Sequence, residues 1–409
     1  MQVTDTIVIG AGQAGLAASY HLTAHGQDHV VLERGQVGQR WRAGVWDSLR
    51  LLSPNWVNTL PGHPYRGADP DGFATAAAFA ESLSGYASSF GAPVVEGAGV
   101  QALTSVGRGF EVTTPTGSWR ARNVVLATGW SDLPLVPALA EDLDPDVQQL
   151  TAHEYRNPGS VSEGGVLVVG ASATGVQLAD ELLAAGREVT IAVGRHRRMP
   201  RLYRGRDIFW WLVRMGLLDT AIDVVADADQ APFEPSLQVV GRPDRRSVDL
   251  ATLQARGARL VGRVKSADGH RVRLAPDLPV TLRDAETRLE RLLRDIETHI
   301  DVAGLGAGLG EPAERPEVVV PERCESLDLR RAGIRTVVWA TGHRRAYPWL
   351  HLPVLDERGE IRQRHGITPV PGLFVLGYRF QCYRSSNWVC GVGRDAAAIT
   401  AHIVRAGHP

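Results

Sequence analysis

The sequence predicts an α/β protein with two Rossmann-like dinucleotide-binding domains, one of which is inserted into the other, discontinuous one. Two observations support this fold class. A strand, a glycine-rich loop and a helix follow one another twice, starting near residues 6 and 166. Two further apolar strands each run into the tripeptide Ala-Thr-Gly, at residues 127–129 and 340–342. The length of 409 residues is also sufficient for two domains.

Composition and charge exclude several classes of protein. The formal net charge is −1, and 44% of the residues are hydrophobic, which is typical of a globular protein without bulk attraction to nucleic acid. Three cysteines without a Cys-x-x-Cys pair exclude a disulfide scaffold and the usual zinc spacing, and we predict no metal site. The N-terminus lacks the pattern of a secretory signal, and no apolar run is long enough to span a bilayer. We therefore predict a cytoplasmic location and no membrane span.

The first copy of the repeat is a predicted dinucleotide site. Residues 6–9 form a β-branched strand, residues 10–15 read Gly-Ala-Gly-Gln-Ala-Gly, and an Ala-rich helix follows. In such a loop the glycines allow a tight turn, the approach of a pyrophosphate, and close packing of helix on strand. The helix N-terminus presents free N–H groups to the phosphates. Glu33 ends the next strand, where a carboxylate can bind the ribose hydroxyls of an adenosine.

The alternative for this segment is a βαβ turn without a ligand. We prefer the dinucleotide site because a strand, a helix, a second strand and a terminal acid occur together.

The second copy differs from the first at the position of the acid. The distance from the glycine loop to the end of its helix is the same in both copies, so Glu33 corresponds to Val193, and basic residues 195–198 follow. A carboxylate would repel a 2′-phosphate, whereas a guanidinium binds it in a bidentate manner. We therefore predict FAD at the first copy and NADPH at the second, with a solvated basic surface as the alternative for some of the arginines. The predicted NADPH-binding residues are Gly170, Ser172, Ala173, Thr174, Gly175, Arg195, His196, Arg197, Thr341 and Gly342.

Other segments resemble a known family. Residues 38–42 (GQRWR), 46–51 (WDSLRL), 155–158 (YRNP) and 375–377 (VLG) are similar to class B flavin-dependent monooxygenases, in particular to the YUCCA-like branch and bacterial flavin-containing monooxygenases. The resemblance covers nearly the whole chain and implies a flavoprotein with two dinucleotide-binding domains. The FAD-binding residues predicted from the loop and from this resemblance are Gly10, Gly12, Gln13, Ala14, Gly15, Glu33, Arg34, Gln39, Arg40, Trp41, Leu51, Ala127, Thr128, Gly129 and Gly377.

The resemblance also implies a reaction. We expect NADPH to reduce FAD, and the reduced flavin to form a C4a-(hydro)peroxyflavin with O₂ that oxygenates a small organic molecule, by N- or S-oxygenation or a related step. An alternative is an NADPH-dependent flavoprotein reductase or oxidase without oxygen insertion, and a third is a non-catalytic redox sensor. Because the flavin carries the chemistry, no catalytic side chain is assigned beyond two candidates near the flavin, Asn55 and Asn58.

The order of these motifs predicts the domain organisation. Residues 1–158 form the first part of the FAD-binding domain, residues 159–334 the NADPH-binding domain, and residues 335–409 the second part of the FAD-binding domain. The sequence leaves the substrate and the oligomeric state open, with a homodimer among the arrangements it allows.

Two pairs of residues have more than one interpretation. Cys382 and Cys390 are either a redox pair facing the flavin or, as we prefer, small buried hydrophobic side chains. Trp210 and Trp211 could line a substrate entrance or contact a membrane surface, but packing against the other domain or a second subunit is the interpretation we favour.

Overall fold

The structure is a computed structural model that describes residues 1–407. Within these residues the α-helices are α1 (Gln13–Ala24), α2 (Gln39–Arg42), α3 (Ala76–Ser89), α4 (Ala173–Ala184), α5 (Ile208–Arg214), α6 (Leu250–Ala255), α7 (Leu278–Ala303) and α8 (Val392–Gly407). The strands are β1 (Gln2–Val3), β2 (Thr6–Ile9), β3 (His29–Leu32), β4 (Val94–Val95), β5 (Ala102–Val106), β6 (Gly109–Thr114), β7 (Gly117–Ala121), β8 (Asn123–Leu126), β9 (Leu133–Pro134), β10 (Gln148–Thr151), β11 (Gly165–Val169), β12 (Val189–Ala192), β13 (Arg197–Arg198), β14 (Leu202–Tyr203), β15 (Arg206–Asp207), β16 (Leu237–Gln238), β17 (Arg259–Val261), β18 (Val264–Asp268), β19 (Arg271–Leu274), β20 (Ser326–Asp328), β21 (Ile334–Trp339), β22 (His343–Arg344) and β23 (Leu373–Val375). Short 3₁₀ turns lie at Ala138–Asp142, Pro158–Ser160, Leu217–Asp219, Ile222–Val224 and Ala231–Phe233.

The first central sheet combines strands from both ends of the chain. Its order is β23-β8-β2-β3-β4, and all neighbouring strands are parallel. The β-branched residues of β2 and β3 are fully buried, as expected for a parallel sheet covered on both faces. Helices α1, α3 and α8 pack on one face, and the four-stranded sheet β1-β7-β6-β5 packs on the other.

The second central sheet repeats this plan. Its order is β10-β21-β11-β12-β17, again with parallel neighbours. Helices α4 and α6 cover one face, and the antiparallel sheet β18-β19-β20 covers the other. The predicted fold class, with one nucleotide-binding unit inserted into a discontinuous one, is thereby confirmed.

The predicted segment limits need a correction. Strands β10 and β21 pair with each other in the second sheet, although the segments 1–158 and 335–409 would place β10 and most of β21 in the first unit. The reason is that β21 lies beside β11, the strand that leads into the second glycine loop, just as β8 lies beside β2. By sheet membership, the inserted unit starts before residue 148 and includes residues up to 339.

The long helix α7 packs in a buried cluster that contains residues of both units. Its buried residues Leu289, Leu293, Ile296 and Ile300 lie on one face and pack with residues of α5. Trp211 is fully buried in this cluster, and its indole Nε1 donates to the carbonyl of Tyr203 at 3.0 Å. Trp210 is partly exposed and packs edge-on against Trp211. The packing interpretation of this pair is therefore the one the structure supports, and no helix within residues 1–407 is long and apolar enough to cross a membrane.

Candidate active site

The first glycine loop is compressed against the end of β8. Gly10 has φ +107°, and a Cβ there would lie 2.6 Å from the carbonyl oxygen of Ala127. A Cβ at Gly15 would overlap the carbonyl of Gly10, so this glycine brings α1 close to the strand. Gly12, in contrast, faces a cavity, and a Cβ there would meet nothing within 4 Å. No side chain caps α1, which leaves its first N–H groups available to a phosphate.

The second glycine loop has the same construction. Gly170 has φ +119°, and a Cβ there would overlap the carbonyl oxygen of Ala340. Gly175 packs on the carbonyl of Gly170 as Gly15 does on that of Gly10. Ser172 is the N-cap of α4, but its side chain makes no capping hydrogen bond. Each Ala-Thr-Gly segment therefore supplies the carbonyl that requires glycine at the start of its loop.

The Glu33 carboxylate is held beside the first loop. It is 7% exposed; its Oε2 accepts from the backbone N–H of Ala11 at 2.8 Å, and its Oε1 from that of Gly35 at 3.0 Å. Each carboxylate oxygen can accept a second hydrogen bond. Glu33 also lines the cavity, so this second acceptor position is available to a ribose hydroxyl.

The basic residues after β12 differ in their availability. Arg195 is exposed, lines the cavity, and forms no ion pair with any carboxylate of residues 1–407. Arg197 also lines the cavity, but it is paired with Glu234. Of the predicted phosphate-binding cations, Arg195 is the one that remains free for a ligand.

His196 does not fit its predicted role. It is buried, its Nδ1 lies 2.9 Å from the carbonyl oxygen of Gly194, and it is not among the cavity-lining residues that the structure describes. Burial lowers its pKa. The next arginine, Arg198, is 9% exposed and neutralised by Asp249 and Glu286, at 2.8 and 2.6 Å. Residues 193–196 lie between β12 and β13, and the bend at Arg195 turns His196 into the core and Arg195 outward.

One continuous cavity of about 1460 Å³ joins the two loops. Most of the residues predicted to bind FAD or NADPH line it, and Gly15, Gly175 and His196 do not. The predicted residues at its wall are Gly10, Gly12, Gln13, Ala14, Glu33, Arg34, Gln39, Arg40, Trp41, Leu51, Ala127, Thr128, Gly129, Gly170, Ser172, Ala173, Thr174, Arg195, Arg197, Thr341, Gly342 and Gly377. Both glycine loops therefore open into the same space.

Asn55 and Asn58 are not catalytic candidates in this structure. The amide of Asn55 accepts from the N–H of Ala74 at 3.0 Å and donates to the carbonyl of Asp69 at 2.9 Å. The amide of Asn58 donates to the carbonyl of Ser53 at 3.0 Å. Neither residue lines the cavity as the structure describes it. Both side chains hold the loop around residues 52–75 together, which explains why asparagines occur there.

Two histidines that the sequence did not assign to the site face the cavity together. The Nε2 atoms of His153 and His343 lie 3.1 Å apart, and both residues line the wall between the two units. Burial, with the nearby Arg40 guanidinium, lowers the pKa of His153 to about 4. Burial, His153 and Arg40 lower the pKa of His343 to about 4. Both imidazoles are therefore neutral at pH 7. His153 and His343 are 190 positions apart, and no sequence pattern indicates that they are in contact.

The cysteines of the C-terminal segment are isolated thiols. Cys382 and Cys390 are free, and burial raises the pKa of the Cys390 thiol to about 11. Burial and the neighbouring Asp395 also raise the pKa of Cys382. Both side chains are half-buried. A thiolate is the reactive form, so the raised pKa values favour unreactive side chains over a redox pair.

A cluster of potential metal ligands lies outside the cavity. Asp144, Asp146 and His270 approach one another closely. His270 Nε2 lies 2.5 Å from Asp146, and Arg330 donates to Asp146 at 3.0 Å. Because these groups satisfy one another, we propose no metal here.

Comparisons with known proteins agree with this geometry. Residues 7–204 match the family model described as pyridine nucleotide-disulphide oxidoreductase. A relative named "Uncharacterized oxidoreductase CzcO-like", from Geobacillus kaustophilus, is 32% identical over 397 residues, which cover 96% of each chain. The chain belongs to this family of CzcO-like oxidoreductases.

Members of related groups share the sequence and the fold. Indole-3-pyruvate monooxygenase YUCCA6 of Arabidopsis thaliana is 31% identical over 207 residues, 47% of this chain and 48% of that protein. A flavin-containing monooxygenase from Stenotrophomonas maltophilia has the same fold, with a TM-score of 0.69 at 22% identity over 99% of each chain. The predicted resemblance to flavin-dependent monooxygenases is thus confirmed. Both proteins are named as monooxygenases, and the family model that residues 7–204 match is named for a pyridine nucleotide.

Proposed function

We propose that this protein is an FAD- and NADPH-dependent monooxygenase that uses O₂ to oxygenate a small organic molecule. The observation that carries the proposal is the single cavity of about 1460 Å³ that reaches both glycine loops. Hydride transfer requires the two cofactor rings to meet at near contact distance. A shared cavity permits this contact and leaves room for a substrate.

The residues of the first unit fit FAD. The open side of Gly12 and the uncapped start of α1 suit a pyrophosphate, and the carboxylate of Glu33 suits the ribose of an adenosine. Bound FAD would supply hydride acceptance and the activation of O₂, which the side chains of this protein do not provide. Leu51, Trp388 and Val389 line the cavity and would exclude water around the reacting groups.

The residues of the second unit fit NADPH better than NADH. Arg195 lies on the cavity wall after β12, where no internal carboxylate of residues 1–407 competes for it. A guanidinium at this place would bind the 2′-phosphate that distinguishes the two nucleotides.

The test is the fate of the oxygen. The flavin-loaded protein is mixed with NADPH and ¹⁸O₂ in the presence of amines, sulfides and ketones, and the products are examined by mass spectrometry. We expect one ¹⁸O atom in a product and less H₂O₂ than NADPH consumed. Stoichiometric H₂O₂ with every compound would contradict oxygenation.

An NADPH-dependent reductase or oxidase without oxygen insertion is the second candidate. This function is favoured by the positions of Asn55 and Asn58, the two predicted catalytic candidates. Both bind the loop around residues 52–75, and neither lines the described cavity. Stoichiometric H₂O₂, or rapid reduction of a quinone or dye, would support this function. The high pKa of the Cys390 thiol argues against a dithiol acceptor within the protein.

A further inference from the structure

Three arginines lie around Glu234 at the wall of the cavity. We name Arg197, Arg379 and Arg384 the arginine cluster. Arg197 is ion-paired with Glu234, and Nη1 of Arg384 lies 3.9 Å from the same carboxylate. Arg379 donates to the backbone carbonyl of Glu234 at 2.6 Å. All four residues line the cavity, and the cluster joins the inserted unit to the segment after β23.

The arginine cluster carries more positive charge than Glu234 neutralises. Three guanidinium groups share one formal negative charge. The Nε–H of Arg384 is buried and has no hydrogen-bond partner among residues 1–407. Burial, followed by repulsion from Arg197, lowers the pKa of Arg384. A partly buried cation with an unused hydrogen-bond donor is unfavourable unless a ligand accepts that hydrogen bond and balances the charge. This indicates that an anion binds at this wall.

An apolar wall lies directly beside the cluster. The backbone N–H of Arg384 donates to the carbonyl of Thr220 at 2.9 Å, and that of Ser385 donates to Leu218 at 3.1 Å. These bonds hold the cluster against the segment around Leu218. Phe209, Leu212, Leu217 and Leu218 line this part of the cavity together with Trp388. The two surfaces match a molecule with an anionic group and an apolar body.

We propose that the arginine cluster binds the carboxylate of an organic-acid substrate, whose apolar body lies along the wall from Phe209 to Leu218. This inference rests on the proposed function, because it names the substrate class of the same cavity. Arg379 and Arg384 can each present two N–H groups to a carboxylate. Glu234 competes for the cluster in the free protein, and the substrate carboxylate takes over part of its contacts.

The experiment compares two probes of nearly the same shape, one anionic and one neutral. The oxidised flavin-loaded protein is titrated with 3-phenylpropionate and with its neutral analogue, 3-phenylpropionamide, and binding is followed by the flavin spectrum. No NADPH is present, so the result does not depend on turnover. We expect the acid to bind about tenfold more tightly than the amide, which is the scale of one charge-assisted hydrogen-bonded contact.

Three variants assign the preference to the cluster. Arg379→Gln and Arg384→Gln should reduce the preference for the acid to about twofold or less, with little effect on the amide. Glu234→Gln should strengthen acid binding, because the competing carboxylate is gone. The control is Arg394→Gln, which removes a guanidinium paired with Asp219 at 2.7 Å that does not line the described cavity. It should keep the wild-type preference.

The opposite results would overturn the proposal. Equal binding of acid and amide by the wild type, or an acid preference that survives both arginine substitutions, contradicts the site. The Kd for NADP⁺ is measured on the same variants. If NADP⁺ loses affinity and the acid does not, the cluster binds the nucleotide and the proposal is wrong. An acid preference in a protein that oxygenates none of the compounds tested, acids included, supports the anion site and contradicts the proposed function alone.

Discussion

At the scale of single residues, Glu33 and Arg195 lie at corresponding ends of two similar units and carry opposite charges. The Glu33 carboxylate is fixed by two backbone N–H groups and is buried. Arg195 is exposed and faces the cavity without an internal carboxylate from residues 1–407. The difference predicts an adenosine with a free ribose at one site and one with a 2′-phosphate at the other.

Glu33→Ala should weaken flavin binding by about tenfold or more, because a charge-assisted hydrogen bond to the ribose is lost. The measurement is the Kd from titration of the flavin-free protein with FAD. Glu96→Ala is the matched control, since Glu96 accepts from the N–H of Val37 at 2.8 Å but does not line the described cavity. Wild-type FAD affinity in Glu33→Ala would contradict the assignment.

Arg195→Ala should raise the KM for NADPH by about tenfold and change the KM for NADH by less than about twofold, because only the phosphate contact is removed. Steady-state oxidation of both nucleotides by the flavin-loaded protein measures this. A parallel rise for NADPH and NADH would show that Arg195 does not read the phosphate.

The pair His153 and His343 predicts a loss of stability in acid. The pKa of His343 is about 4 in the folded protein and 6.5 for an ordinary histidine, so the unfolded chain binds the proton first as the pH falls. Stability from this residue is complete above pH 6.5 and is lost between pH 6.5 and about 4. The His343→Gln variant should take up about one proton fewer than the wild type when it unfolds near pH 5. Thermal unfolding at several pH values measures this, and an unchanged pH dependence of Tm would contradict it.

Some of these residue assignments follow from the sequence, and others do not. Glu33 and Arg195 could be predicted, because each comes at or just after the end of the second strand of its repeat. The burial of His196 and the contact between His153 and His343 depend on how turns direct side chains across the cavity, which no local pattern records.

At the scale of elements, each unit combines a glycine loop with an Ala-Thr-Gly strand end. The carbonyl of Ala127 excludes a side chain at Gly10, and the carbonyl of Ala340 excludes one at Gly170. The pairing of strands β8 with β2 and β21 with β11 brings each carbonyl to its loop. The two motifs of each unit therefore act as one structural element.

Gly10→Ala and Gly12→Ala should have different effects. At Gly10, with φ +107° and the nearby carbonyl, we expect a loss of stability of about 1–3 kcal/mol. Gly12 has φ −85° and open surroundings, so Gly12→Ala should leave the Tm of the flavin-free protein nearly unchanged but weaken FAD binding. Thermal unfolding and FAD titration distinguish the two. Wild-type FAD affinity in Gly12→Ala would contradict the placement of the pyrophosphate.

The strands and loops of both units could be predicted from their spacing, but the limits of the inserted unit could not. Strand β10 has the mixed sequence Gln-Gln-Leu-Thr, which does not indicate the sheet it joins. Its neighbour β21 is 183 positions further along the chain, from Thr151 to Ile334. Sheet membership here depends on long-range pairing, and local propensity carries no information about it.

At the scale of the whole molecule, the cavity is built from segments that are distant in the sequence. Its wall contains residues from both glycine loops, from α5 and α7, and from the segment after β23. The arginine cluster joins residue 197 to residues 379 and 384. Motifs predict each half of this cavity, but the tertiary packing of the two units decides that the halves form one space.

We propose that the two nucleotides meet in this cavity, so that NADPH reduces the bound flavin directly. Anaerobic stopped-flow absorbance measures it, by mixing the FAD-loaded protein with NADPH or with NADH and following the loss of oxidised-flavin absorbance. We expect rapid, saturable bleaching by NADPH at concentrations about tenfold lower than those needed for NADH, because Arg195 would bind the 2′-phosphate. Retained flavin that neither nucleotide reduces would contradict it.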